Sequence, residues 1–222
     1  MSSRRLSPDL DPKTAVCDLS SVLIEAGLNP VDEAIKAKFS TYLDLLIRWN
    51  ARINLTAVRD ATGIVRRHFI ESIACAQALP TGIRSLLDFG SGAGFPGIPI
   101  ALCRPKIDVT LAEARAKKAA FLQETVRTLQ VKCRVWPRRG EEIGERFDCV
   151  TLRAVDRMDR AMAVSAGLVS PDGWLVVLTT ASDMDEIRTW VGGGFDWQAG
   201  ISLPGSRQQL IRMARRSASR GD

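Results

Sequence analysis

The chain has 222 residues, 45% apolar and 25% charged, and a formal charge of +6 from 31 basic side chains, 24 of them Arg, against 25 acidic ones. That length suits one well-buried core with a modest extension and excludes two full-sized domains, and no apolar run reaches the roughly 18 residues of a membrane span. Five scattered cysteines without a CxxC pair, and a single His, argue against a zinc site and a disulfide framework and for reduced thiols in the cytoplasm.

The basic N-terminus lacks the apolar core of a signal peptide, which again points to the cytoplasm. Residues 1–13 are polar, contain Pro8 and Pro12, and are expected to be flexible. From Thr14, Val16, Leu19, Val22, Leu23 and Ala26 recur at helical spacing up to a stop at Gly27. Pro30 is expected to open a second helix, whose stripe Ile35, Phe39, Tyr42, Leu43, Leu46 and Ile47 reads as core. Asn50 to Arg59 is a loop with more hydrogen-bonding capacity than a connector needs. Asp60 caps a helix running to about Leu79, which Pro80 and Gly82 end.

Leu86-Leu87 begins a strand buried on both faces, as parallel strands are. The chain then reads Asp88-Phe-Gly90-Ser-Gly92-Ala-Gly94-Phe95-Pro96-Gly97-Ile-Pro99, a tight turn followed by a short helix with Pro in its first turn. A second strand, Ile107 to Ala112, ends in Glu113. A helix over Ala114 to about Gln130, a third strand over Val131 to Trp136, and a polar turn through Arg139-Gly140-Glu141-Glu142 follow. The fourth strand, Phe147 to Leu152, ends at Arg153-Ala154, where α/β ligands and substrates meet. A helix over Met158 to Leu168, a turn at Pro171-Asp-Gly173, a fifth strand over Trp174 to Leu178 and a short helix over Asp183 to Trp190 lead to two closing strands, Phe195 to Leu203 and Gln208 to Met213. Pro204-Gly205 joins these as an antiparallel hairpin.

The expected fold is therefore α/β: a Rossmann-like methyltransferase sheet with helices on both faces. The N-terminal helical extension takes residues 14–80, the cofactor-binding domain 81–214, and a flexible tail 215–222.

Spacing separates the cofactors. A dinucleotide loop reads G-x-G-x-x-G, whereas here the pattern is G-x-G-x-G and Phe95 takes the place of the third glycine. Asp88, directly before the loop, would repel a pyrophosphate and attract an ammonium. S-adenosylmethionine has no phosphate and carries an ammonium, so it is the expected cofactor. Asp88, Gly90, Gly92 and Gly94 are expected to form its cradle, Phe95 or a nearby apolar side chain to cover the nucleoside, Glu113 to accept from the ribose hydroxyls, and Gly140 with Glu141 to meet adenine.

The block Leu86 to Pro99 closely resembles the signature of the bacterial small-subunit ribosomal RNA guanine-N7 methyltransferases, the glucose-inhibited division protein B family. The resemblance extends to Trp49-Asn50, Asn54-Leu-Thr56, Arg67-His68 with Glu71-Ser72, Lys117-Lys118, Arg139 with Glu141-Glu142, and Arg153-Ala154. It implies methyl transfer from S-adenosylmethionine to N7 of one guanine in the decoding region of 16S ribosomal RNA, as naked RNA or within a small-subunit particle. It also implies that Gly90, Phe95, Gly140-Glu141 and Arg153 touch the cofactor, and that Asn54, Thr56, Arg66, Arg67 and His68 lie near the RNA. Three departures stand out: Glu113 where the family often has Asp, Thr179-Thr180 where its fifth strand ends in Lys-Gly, and Gln208-Gln209 where it carries Arg-His, with Arg207 as a nearby substitute.

Guanine N7 has a lone pair and no proton to lose, so transfer needs in-line placement rather than a general base. Arg153 and His68 are the candidate catalytic residues, Arg153 orienting substrate or cofactor. Asn54, Thr56, Arg59, Arg66, Arg67, Lys117 and Lys118 are the candidate RNA contacts. A solvated charged face is the bland account of the basic residues, and a structural hydrogen bond that of His68. No metal, no membrane and a monomer are expected. The alternatives are an RNA-binding module without catalysis, and a methyltransferase acting on a small molecule or a protein.

Overall fold

The computed structural model describes Val16 and residues 18–155, 157–206 and 208–217. The expected flexible N-terminus, Cys17, Arg207 and residues 218–222 lie outside them.

Helix α1 (Leu19–Glu25) ends before Gly27, whose φ of +72° suits a residue without a Cβ. Helix α2 (Glu33–Asn50) starts later than Pro30 suggested, because Asp32 is the cap: its carboxylate accepts from the Ile35 N–H at 2.7 Å. Asp60 caps the next helix as expected, accepting from the Gly63 N–H at 2.6 Å. That helix is not continuous. It runs as α3 (Ala61–Ile64), a π-turn (Val65–Phe69) and α4 (Ile70–Ala78).

The sheet contains β1 (Ser85–Phe89), β2 (Asp108–Ala112), β3 (Cys133–Trp136), β4 (Phe147–Arg153), β5 (Val169–Thr180), β6 (Phe195–Trp197), β7 (Ile201–Ser202) and β8 (Gln209–Arg216). Its order is β3-β2-β1-β4-β5-β8-β6, with β7 also on β8. The first five strands pair in parallel, and β8 runs antiparallel between β5 and β6. The intervening helices are α5 (Gly97–Cys103), α6 (Ala116–Leu129), α7 (Met158–Leu168) and α8 (Met184–Val191).

Successive residues of the central strands face opposite layers, the period-2 consequence of the pleat. Leu86, Val109, Leu111 and Cys149 join the core containing α2, α4, α5 and α6, while Leu87, Val150, Leu152 and Leu175 join the one containing α7 and α8. Full burial of one such leucine contributes ~1.5–3 kcal/mol.

Two chain-end expectations are corrected. Pro171-Asp-Gly173 does not precede the fifth strand but lies within β5: Val169 already pairs with Phe147, and the next register pair is Cys149 with Trp174, so the turn is a bulge. Arg215 and Arg216 belong to β8 rather than to a tail, because Arg215 pairs with Trp174 and the Arg216 guanidinium donates to the Ala166 and Val169 carbonyls.

Candidate active site

Crossovers between parallel strands leave a crevice at the carboxyl ends of those strands, and here it opens into a cleft of ≈ 840 Å³. Its floor is the turn after β1. Gly90 and Gly92 have φ of +72° and +58°, and a Cβ on Gly90 would stand 3.0 Å from the Val155 side chain. Glu113, 7% exposed at the tip of β2, accepts from the Gly92 N–H at 2.9 Å and the Arg115 N–H at 2.8 Å. Each carboxylate oxygen keeps a second lone pair for a ligand hydroxyl. Gly140 opens the 3₁₀ turn Gly140–Glu142 against the Phe89 ring, where a Cβ would lie 2.2 Å from Cε2. Glu141 carries an ion pair with Arg160 at 3.4 Å.

The wall of the cleft is polar and connected. The Arg153 guanidinium pairs through Nη2 with the buried Glu71 carboxylate, and the same nitrogen lies 3.2 Å from the Arg67 carbonyl and 3.0 Å from His68 Nδ1, so its two hydrogens serve three acceptors and one is shared. Arg153 Nη1 is buried without a partner among the described residues. His68 Nε2 lies 2.7 Å from Thr56 Oγ1, and the imidazole stacks on Phe95 with centroids 4.9 Å apart. Burial first, then the positive charges of Arg153 and Arg67, lowers the His68 pKa to about 3. Burial raises that of Glu71, against the pull of Arg153.

Of the sequence-derived cofactor set, Gly90, Gly92, Phe95, Glu113, Gly140, Glu141 and Arg153 line this cleft. Asp88 and Gly94 do not. Asp88 is 1% exposed beneath the loop, where its carboxylate accepts from the Gly97 N–H at 3.2 Å and the Thr151 hydroxyl at 3.0 Å. Burial pushes its pKa up to about 6. Gly94 faces Ile98 and the Tyr42 hydroxyl.

Of the RNA set, Thr56, Arg67 and Lys118 reach the cleft, as does His68. The Lys118 ammonium points at the glycine turn, 4.0 Å from where a Gly92 Cβ would stand. Arg66 lines a neighbouring cavity with Arg67, and Lys117 is exposed outside both. Arg59 is spent on its own loop, donating to the Asn50 carbonyl at 3.0 Å and to Asn54 Oδ1 at 2.9 Å.

Sequence reasoning missed the roles of Glu71 and Tyr42 in building the site. Tyr42 is fully buried, its hydroxyl donates to the Ala93 carbonyl within the glycine loop, and its ring packs on Phe69 and Phe95. The signal available was a lone Tyr in an apolar stripe, since a buried hydroxyl needs a partner. The threonines that replace Lys-Gly also have a job: Thr179 and Thr180 donate to Asp183 Oδ2 at 2.8 and 2.6 Å, which holds that carboxyl at about 2. Among the described residues no group of three His, Cys, Asp or Glu could hold a metal, and no helix is long and apolar enough to cross a membrane. Burial pushes the thiols of Cys75, Cys103 and Cys133 up to about 12, so none is a ready nucleophile.

A parallel sheet closed by an antiparallel β8, a glycine turn after β1 and a carboxylate at the tip of β2 define an S-adenosylmethionine-dependent methyltransferase. Solved structures agree in fold: a methyltransferase from Pyrococcus furiosus superposes with TM-score 0.57 at 10% identity over 67% of this chain and 83% of its own. The pyocyanin biosynthetic protein PhzM does so with TM-score 0.57 at 17% identity over 71% and 57%. Sequence likeness is closer. The model of the GidB family, rRNA small subunit methyltransferase G, matches residues 35–191. The ribosomal RNA small subunit methyltransferase G of Xanthomonas axonopodis pv. citri is 36% identical over 92% of this chain and 94% of its own length, and that of Stenotrophomonas maltophilia is 37% identical over 87% and 91%. The chain belongs to the GidB family.

The residues at the cleft fit the cofactor of this class. Gly90 and Gly140 pack against Val155 and Phe89 where a Cβ would collide, and both line the cleft without a side chain, while Glu113 offers carboxylate lone pairs at the tip of β2.

Proposed function

We propose that this chain transfers the methyl group of S-adenosylmethionine to N7 of a specific guanine in the decoding region of 16S ribosomal RNA. The observation that carries this reading is the cleft itself: the glycine turn and Glu113 adjoin the Thr56–His68–Arg153–Glu71 network, all in a chain of the GidB family.

When bound, S-adenosylmethionine supplies an activated methyl group on a sulfonium. Glu113 holds the ribose hydroxyls, Gly90 and Gly92 let the backbone lie against the ligand, and Gly140 with Glu141 borders adenine. Arg153 and His68 position rather than exchange protons: the guanidinium is paired with Glu71, and a His with a pKa near 3 is a poor base. Guanine N7 has no proton to remove, so the chemistry needs only placement and exclusion of water. Arg67 and Lys118 meet RNA phosphates at the rim, each lost contact lowering the salt slope by about one.

Titration with S-adenosylmethionine tests the cofactor half of this reading. Glu113→Ala is expected to weaken binding at least about tenfold, the worth of a charge-assisted hydrogen bond, and Glu113→Asp to restore most of it. Unchanged affinity in Glu113→Ala would overturn the assignment. For the acceptor, labelled methyl should enter 16S RNA or small subunits lacking the modification; label confined to protein or small molecules would contradict it.

A further inference from the structure

Thr56 lies in the loop between α2 and α3, fixed there by Asn50, whose Oδ1 accepts from the Leu55 and Thr56 N–H groups at 2.9 and 3.1 Å. The Thr56 hydroxyl oxygen has two close neighbours: His68 Nε2 at 2.7 Å and the Val58 N–H at 3.1 Å. Which way the first bond runs follows from the other side of the ring. His68 Nδ1 is 3.0 Å from Arg153 Nη2, and a guanidinium can only donate. With one Nη2 hydrogen taken by Glu71 and the other shared between Nδ1 and the Arg67 carbonyl, Nδ1 is assigned as acceptor and the single proton of the neutral imidazole to Nε2. Nε2–H donates to Thr56, as does the Val58 N–H. A hydroxyl oxygen has two lone pairs, and both are taken. What remains is one O–H, without an acceptor among the described residues, on a side chain that lines the cleft.

Resting on the guanine-N7 reading above, we propose that Thr56 determines base specificity by donating its hydroxyl hydrogen to O6 of the target guanine. The edge of guanine that carries N7 presents two acceptors, N7 and O6, whereas adenine presents N7 and an amino donor. N7 must keep its lone pair for the methyl group, so O6 is the atom left to be read. A hydroxyl locked as a donor fits O6 and meets the adenine amino group donor to donor. His68 and Arg153 are positioning residues in this account: Arg153 sets the tautomer of His68, and His68 sets the polarity of Thr56.

The test is a two-by-two comparison of methyl transfer. Wild type and Thr56→Val are each given 16S RNA with guanine or 2-aminopurine at the methylated position; 2-aminopurine keeps N7 and lacks O6. Wild type is expected to prefer guanine by about tenfold or more in kcat/KM, in line with the loss of one buried hydrogen bond, and Thr56→Val to show no preference. Thr56→Ser and His68→Gln, which keep the hydroxyl and the donor to it, should retain the preference, and Thr56→Val should bind S-adenosylmethionine as wild type does. Equal discrimination by wild type and Thr56→Val, or loss of cofactor binding in Thr56→Val matching its loss of transfer, would overturn the proposal. Failure of wild type to methylate any 16S guanine would overturn the functional reading itself, and this inference with it.

Discussion

Glu71 and Arg153 are buried together, with side chains 5% and 13% exposed. Both charges are largely withdrawn from water, so removing one strands the other. Glu71→Ala is expected to cost about 3–5 kcal/mol of stability, measured by denaturant unfolding, and a loss below about 1 kcal/mol would contradict the pairing. His68 links the same network to pH. Its folded pKa of about 3 lies below the ordinary 6.5, so the unfolded chain takes up the proton first, and stability is lost as pH falls from about 6.5 towards 3. Asp88 works oppositely: its folded pKa of about 6 lies above 3.8, so its contribution is full below pH 3.8 and is lost as pH rises through 6. His68→Gln should therefore lose less stability than wild type between pH 7 and 4, and parallel curves would contradict this. The sequence made Arg153 and His68 legible singly, one at a strand tip and the other beside two Arg. Their pairing was not legible, because Glu71 and Arg153 are 82 residues apart and only the packing of α4 on the sheet brings them together.

At the level of elements, the glycine turn is held from outside its own unit. The Tyr42 hydroxyl on α2 donates to the Ala93 carbonyl, and the Phe95 ring lies among Tyr42, His68 and Phe69. Tyr42→Phe leaves that carbonyl unsatisfied and should cost about 1–3 kcal/mol, with weaker S-adenosylmethionine binding; wild-type stability and affinity would show that α2 only fills space. The apolar runs of the central strands, the Asp60 cap and the bounds of α7 could be read from local pattern, since each depends on neighbours in sequence. The π-turn at Val65–Phe69 could not. Its apolar residues keep near-helical spacing, and the turn sets the face from which His68 meets Phe95 and Thr56. The bulge in β5 was hidden for the same reason: Pro171-Asp-Gly173 reads as a turn, and only pairing of Val169 with Phe147 places it inside a strand.

Across the whole molecule, the N-terminal helices and the sheet share one core: Leu23, Phe39, Leu46 and Phe69 pack in the same cluster as Leu86, Val109 and Phe121. The helical segment thus supplies one wall of the cleft, with Thr56 and His68, while the sheet supplies the glycine turn and Glu113. The formal charge of +6 fits an RNA partner, although charge alone identifies none. The most direct measurement is the position of the methyl group. 16S RNA lacking the modification, incubated with the protein and labelled S-adenosylmethionine, is mapped by chain scission at N7-methylguanine, with Glu113→Ala run alongside. A single scission at one guanine of the decoding region, absent with the variant, is the expected result. Label elsewhere in the RNA, or none despite bound cofactor, would contradict the account.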